Sequence, residues 1–138
     1  MNNPEFDEST SDKALIDEFY RDLLIRYPEL KEDVEYNEGL LHIDMRDFQS
    51  LAENLCKDRK LDELRECFMW LNSIFCRSKN ELLNAINVSF LEYFEFQKGL
   101  SEKEFKEIMP KELYHGYTEM MEYMDEMAKA SNERVIET

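Results

Sequence analysis

The chain has 138 residues, of which 43% are hydrophobic, enough apolar material for one compact core and too little length for two. It carries 32 Asp and Glu against 17 Lys and Arg, a net charge of −15, so its surface projects a negative field that disfavours direct contact with nucleic-acid phosphates. With only 3 Gly and 3 Pro, a glycine-cradled phosphate site is excluded, and the abundance of Leu, Met, Glu and Lys favours helices.

Residues 1–11 are polar and acidic and are expected to be disordered. Met1 to Glu8 lack a basic start and an apolar stretch, so no signal peptide is read and a cytoplasmic location is expected. All apolar runs fall far short of the roughly 20 residues that span a bilayer, so no membrane partner is expected.

Helical order is expected from about Asp12, because Ala14, Leu15, Phe19, Leu23 and Tyr27, with Ile16, Tyr20 and Leu24 beside them, recur at three-and-four spacing. Pro28 ends that helix, since the residue before a proline is pushed out of the helical region. Glu29 to Gly39 reads as an acidic loop or short helical turns, and Leu40 to Ile43 as a brief extended stretch. Asp44 has the character of an N-cap for a second helix with Met45, Phe48, Leu51, Ala52 and Leu55 on its apolar stripe.

After the charged group Lys57 to Lys60, a third helix carries Leu61, Leu64, Phe68, Leu71 and Phe75. Trp70 and Ile74 widen its stripe enough to make it the expected centre of the core. Ser78 and Glu81 have the spacing of a capping box for a fourth helix holding Leu82, Leu83, Ile86, Phe90, Leu91 and Phe94. Gly99 closes that segment, and Ser101 with Glu104 repeats the box ahead of a short helix with Phe105 and Ile108. Pro110 suits the first turn of a last helix. Leu113, Tyr117, Met120, Met121, Met124 and Met127 line one side of it despite Gly116, and the tail 131–138 is expected to be disordered. Short connections imply one all-α domain over 12–130, a bundle or short superhelical array of about five or six helices. Its expected core is Phe48, Leu51, Phe68, Leu71, Phe75, Ile86, Phe90 and Phe94.

Charge is uneven along the chain. Residues 1–38 hold 12 acids and 4 bases, 39–100 hold 10 and 8, and 101–138 hold 10 and 5. The excess therefore sits at the two ends, and it exceeds the magnitude of about 2 to 8 that solubility of a small domain needs. A basic partner follows as an expectation.

No catalytic motif accompanies this field, so no enzyme is read. Cys56, Cys67 and Cys76 are odd in number and sit in apolar periodic segments, the pattern of buried reduced thiols. His42 and His115 lack the spacing of a helical zinc site, and Ser89 has no base near it in sequence. Asp33, Glu35 and Asn37 imitate a calcium loop, but Glu38 replaces the turn glycine and Asp44 stands where a bidentate Glu belongs. No metal or cofactor is expected. Asn84, Asn87 and Ser89 interrupt the most apolar helix and read as structural hydrogen-bonding groups. The methionines of the last helix read as core.

The run Leu82-Leu83-Asn84-Ala85-Ile86-Asn87-Val88-Ser89-Phe90-Leu91-Glu92 and the closing Met109-Pro110-Lys111-Glu112-Leu113 resemble a family of small acidic helical bacterial immunity proteins of polymorphic toxin and contact-dependent growth inhibition systems. The resemblance spans about Leu15 to Met124 and transfers no catalytic residue. It implies a cytoplasmic antitoxin that binds the C-terminal toxin domain of its partner, often a basic nuclease, and occludes the active site. An acidic inhibitor would meet a phosphate-binding surface with carboxylates. The candidate contacts are Glu29, Glu32, Asp33, Glu35 and Glu38 with Tyr36 as aromatic anchor, and second Glu119, Glu122, Asp125 and Glu126. The alternative is a helical adaptor or regulatory subunit that binds a host protein through an apolar groove.

Overall fold

The structure, a computed structural model, describes residues 4–137, with side chains described for 12–132. The expected disordered ends, 1–11 and 131–138, fall largely outside those side chains. All the regular structure among the described residues is helical, as the three-and-four apolar spacing requires.

Helix α1 (Pro4–Arg26) starts ahead of Asp12, buries Phe19 and Leu23, and stops before Pro28, which opens a 3-10 turn, Pro28–Leu30. Helix α2 (Lys31–Asn37) follows directly and ends where Glu38 adopts a left-handed φ of 49° and Gly39 one of 83°. Seven residues do not hold a helix by themselves; α2 is held by packing on α3 (Leu41–Lys57) and by Asn37. The extended stretch expected at Leu40 to Ile43 is absent, because α3 begins at Leu41. Asp44 is correspondingly not an N-cap. It lies in the first turn of α3, fully buried, and accepts hydrogen bonds from Tyr20 Oη at 2.5 Å and Asn37 Nδ2 at 2.8 Å. Partners from α1 and α2 have drawn the carboxylate inward, where its lone pairs are satisfied.

Helix α4 (Leu61–Phe75) enters after a tight turn at Asp58 to Lys60. The Ser78 capping box does not form: Ser78 Oγ donates back to the Phe75 carbonyl at 3.0 Å, and α5 (Asn80–Ala85) starts two residues later behind an extended Lys79. The expected fourth α-helix is then only six residues of α-helix, continued by a π-helical segment, Ile86–Leu91, and a 3-10 turn, Phe96–Lys98. The wider π turn leaves Ile86, Ser89, Phe90 and Leu91 all buried. Helix α6 (Glu102–Ile108) has both halves of the Ser101 and Glu104 capping box, and α7 (Lys111–Glu137) begins directly after Pro110.

The core is centred on α3 and the π segment together with α4, rather than on α4 alone. A continuous run of rings crosses it. Phe19 stacks on Trp70 at 5.6 Å, Trp70 meets Phe48 at 5.4 Å, Phe48 meets Phe90 at 5.4 Å and Phe90 stacks on Phe94 at 5.6 Å. Phe94 then faces Phe105 at 6.1 Å, which stacks on Phe96 at 4.3 Å. Such offset and edge contacts add about 0.5–1.5 kcal/mol each beyond area burial, so one aromatic spine joins α1 to α6. Of the expected core, Leu51 and Phe75 are only half-buried, while the other six are buried. The last helix divides along its length: Leu113 and Tyr117 are buried, Met120 and Met121 pack at the margin, and Met124 and Met127 are exposed.

Candidate functional site

The 3-10 turn and α2 carry the first acidic set outward. Glu29, Glu32, Asp33, Glu35 and Glu38 are all exposed, and among the described residues none of their carboxylates has an ion-pair or hydrogen-bond partner. Tyr36 stands among them with 86% of its surface exposed. The chain is fixed in this pose from below: Asn37 Nδ2 donates to both Asp44 Oδ1 (2.8 Å) and Asp47 Oδ2 (3.0 Å), clamping the end of α2 to α3.

Between the 3-10 turn, α2 and α3 runs a shallow cleft of about 370 Å³, with Leu30, Leu51 and Leu55 among its walls and Glu29, Asp33 and Asp47 as its acids. Burial pushes the Asp47 carboxyl above its ordinary range, and the negative charges of Asp33 and Asp44 add to that against the hydrogen bond from Asn37. Asp47 is not legible in the sequence as part of the acidic face, because it joins that face only once α2 folds back on α3.

The second set, on α7, is also exposed but partly matched by its own helix. His115 Nε2 lies 2.9 Å from Glu119, and Lys129 Nζ lies 3.2 Å from Asp125. These contacts have the i,i+4 spacing that stabilises an isolated helix. The two acidic sets lie on separate elements, and no contact joins their side chains.

Ser89 does have a base beside it: His42 Nδ1 is 2.7 Å from its Oγ, across 47 positions of sequence that no motif search bridges. Only 3% of Ser89 is exposed, and neither residue lines the clefts described here. The pair ties the start of α3 to the π segment. Cys56 and Cys67 are buried thiols as expected, but Cys76, just past the end of α4, is exposed. Burial raises all three, Cys67 to about 11, so none is poised as a thiolate nucleophile at neutral pH. Among the described residues no group of three or more His, Cys, Asp or Glu could hold a metal ion, and no helix is long and apolar enough to cross a membrane.

An apolar cleft of about 870 Å³ opens between the end of α4, α5 and the start of α7, with Phe75, Leu83 and Tyr114 in its walls and Cys76, Lys111 and His115 at its sides. It was not legible in the sequence, since its walls come from three helices whose packing angles no periodicity encodes.

The family model described as "Domain of unknown function (DUF7674)" matches residues 20–125. No curated protein and no solved structure matches the chain.

Proposed function

The chain belongs to the family of the domain of unknown function DUF7674, and from that premise we propose that it is a non-catalytic immunity protein, which neutralises a basic toxin domain such as a nuclease by covering the active site with its acidic surface. The observation that carries this reading is the α2 face, where five exposed carboxylates have no cation paired with them among the described residues. Unpaired like charges held on a short, clamped helix repel one another, and that repulsion is relieved when a cationic surface docks. Tyr36 supplies the large exposed ring that interface centres favour. The α7 set is the weaker surface, because two of its four carboxylates have partners on their own helix. The protein would act in the cytosol, on a toxin domain rather than on nucleic acid.

The test is a search of the genes beside this chain's gene for a toxin domain, whose absence contradicts the reading, followed by association with that domain over a salt series. Exposed charges are screened beyond a Debye length of about 8 Å at 0.15 M salt, so the association rate falls as salt rises. A second reading, an adaptor that binds a host protein through an apolar groove, draws support from the 870 Å³ cleft at α4, α5 and α7. It requires binding that is insensitive to salt and weakened by Leu83→Ser.

A further inference from the structure

Building on the acidic-face reading, we propose that Tyr36, Leu40 and Ile43 form the adhesive centre of that face, and that the centre takes a basic protein segment whose apolar side chains are flanked by Lys or Arg. The three residues fall within one eight-residue stretch around the turn from α2 to α3, and they are 86%, 56% and 45% exposed. A lone exposed Leu needs no explanation, whereas three large apolar side chains exposed around one turn, with carboxylates beside them in sequence, point to an interaction surface. The turn holds them together: the Ile43 N–H donates to the Leu40 carbonyl at 3.1 Å, and the Leu40 N–H to the Asn37 carbonyl at 3.2 Å.

The Leu40 side chain has no capping role. It occupies the N-cap position of α3 and gives no side-chain hydrogen bond there, where Ser, Thr, Asp or Asn would satisfy an orphan N–H. Leu40 therefore adds to the turn an apolar side chain that is 56% exposed and caps nothing.

Charge decides what such a surface takes. Glu32, Asp33, Glu35 and Glu38 flank the three residues with no paired cation. The neighbouring Arg46 is engaged elsewhere, its guanidinium lying over the Tyr93 ring at 4.2 Å. Lys31 is the one cation within α2. An apolar centre with a carboxylate rim is complementary to an apolar centre with a cationic rim. In such an interface the carboxylates set the rate of approach and the apolar contacts set the lifetime of the complex.

The experiment uses the full chain and two labelled peptides of equal length and lysine number, one with Leu and one with Ser at the positions between the lysines. The Lys/Leu peptide is expected to bind at least about tenfold more tightly than the Lys/Ser peptide. The triple substitution Tyr36→Ser, Leu40→Ser and Ile43→Ser should abolish that gap while leaving Lys/Ser binding unchanged. Tyr36→Ser alone, at the most exposed of the three positions, should close part of the gap without any risk to the fold. Equal affinities for the unsubstituted chain, or a gap that survives the triple substitution, overturns the proposal. The acidic-face reading fails separately: in that case Glu32→Lys, Asp33→Lys and Glu35→Lys together leave binding of both peptides unchanged, and the proposal falls with it.

Discussion

The side chain of Asn72, on α4, caps α7: its Oδ1 accepts a hydrogen bond from the Leu113 backbone N–H at 3.0 Å, while its Nδ2 donates to Glu112 Oε2 at 3.2 Å. The longest helix of the protein thus has an orphan N–H satisfied by another helix rather than by a residue of its own. Asn72→Ala should cost about 1 kcal/mol, the usual worth of an N-cap. The check is the shift of the urea midpoint at unchanged slope.

Two glycines mark where helices approach too closely for a side chain. A Cβ on Gly99 would lie 1.9 Å from the Cys56 carbonyl oxygen, which is backbone, whereas a Cβ on Gly116 would lie 2.7 Å from Cζ of the half-buried Phe75 ring. The ring can turn away and the α3 backbone cannot. Gly99→Ala should therefore cost about 3 kcal/mol or more. Gly116→Ala recovers about 1 kcal/mol of helix propensity against its clash and should cost much less. Thermal unfolding of the two variants side by side ranks them; the reverse order would contradict the packing.

Phe90 sits at the middle of the aromatic spine, fully buried between Phe48 and Phe94. Phe90→Ala should cost about 3–5 kcal/mol, and Phe75→Ala, at a half-buried position beside a cleft, clearly less. Equal losses in denaturant unfolding would place the two rings in equivalent surroundings.

Acid stability is predicted to depend on Arg59 and Glu104. The Arg59 guanidinium bonds both carboxylate oxygens, at 3.2 and 2.8 Å, and the Ser101 N–H adds a third bond, so the Glu104 carboxyl is held down at about 2 from an ordinary 4.5. A depressed carboxyl stabilises the fold above its unfolded value, and that contribution is lost as pH falls from about 4.5 toward 2. Asp47 has the opposite sign, since burial raises it. Asp47→Asn should raise stability at neutral pH and change little at low pH, where the native carboxyl is already protonated. Stability against pH for Glu104→Gln and Asp47→Asn reads both signs: the Glu104 variant loses most above pH 4.5 and converges with the native chain in acid.

What was legible in the sequence was what local physics decides. The apolar spacing announced the long helices, and the Ser101 and Glu104 box formed because the Glu104 carboxylate can accept from the Ser101 N–H and from the Arg59 guanidinium at once. The same spacing at Ser78 and Glu81 failed because the Ser78 hydroxyl found the Phe75 carbonyl of the preceding helix first. Asp44 had the residue type of a cap, but Tyr20 and Asn37 made a buried anchor of it. The acidic residues of α2 were visible as charge. Their apolar neighbours Leu40 and Ile43 do not stand out in the sequence, because four residues do not distinguish a strand from the first turn of a helix. Contacts such as His42 with Ser89 and the cleft at α4, α5 and α7 depend on how helices pack, which no periodicity records.

The central claim, that the α2 face binds a basic toxin domain, is tested most directly by the growth of cells that express the neighbouring toxin domain together with this chain or its Glu32→Lys, Asp33→Lys, Glu35→Lys variant. All three positions are exposed, so the variant should keep its helical circular dichroism. The account predicts that the native chain restores growth and the variant does not. Full protection by the folded variant would contradict it.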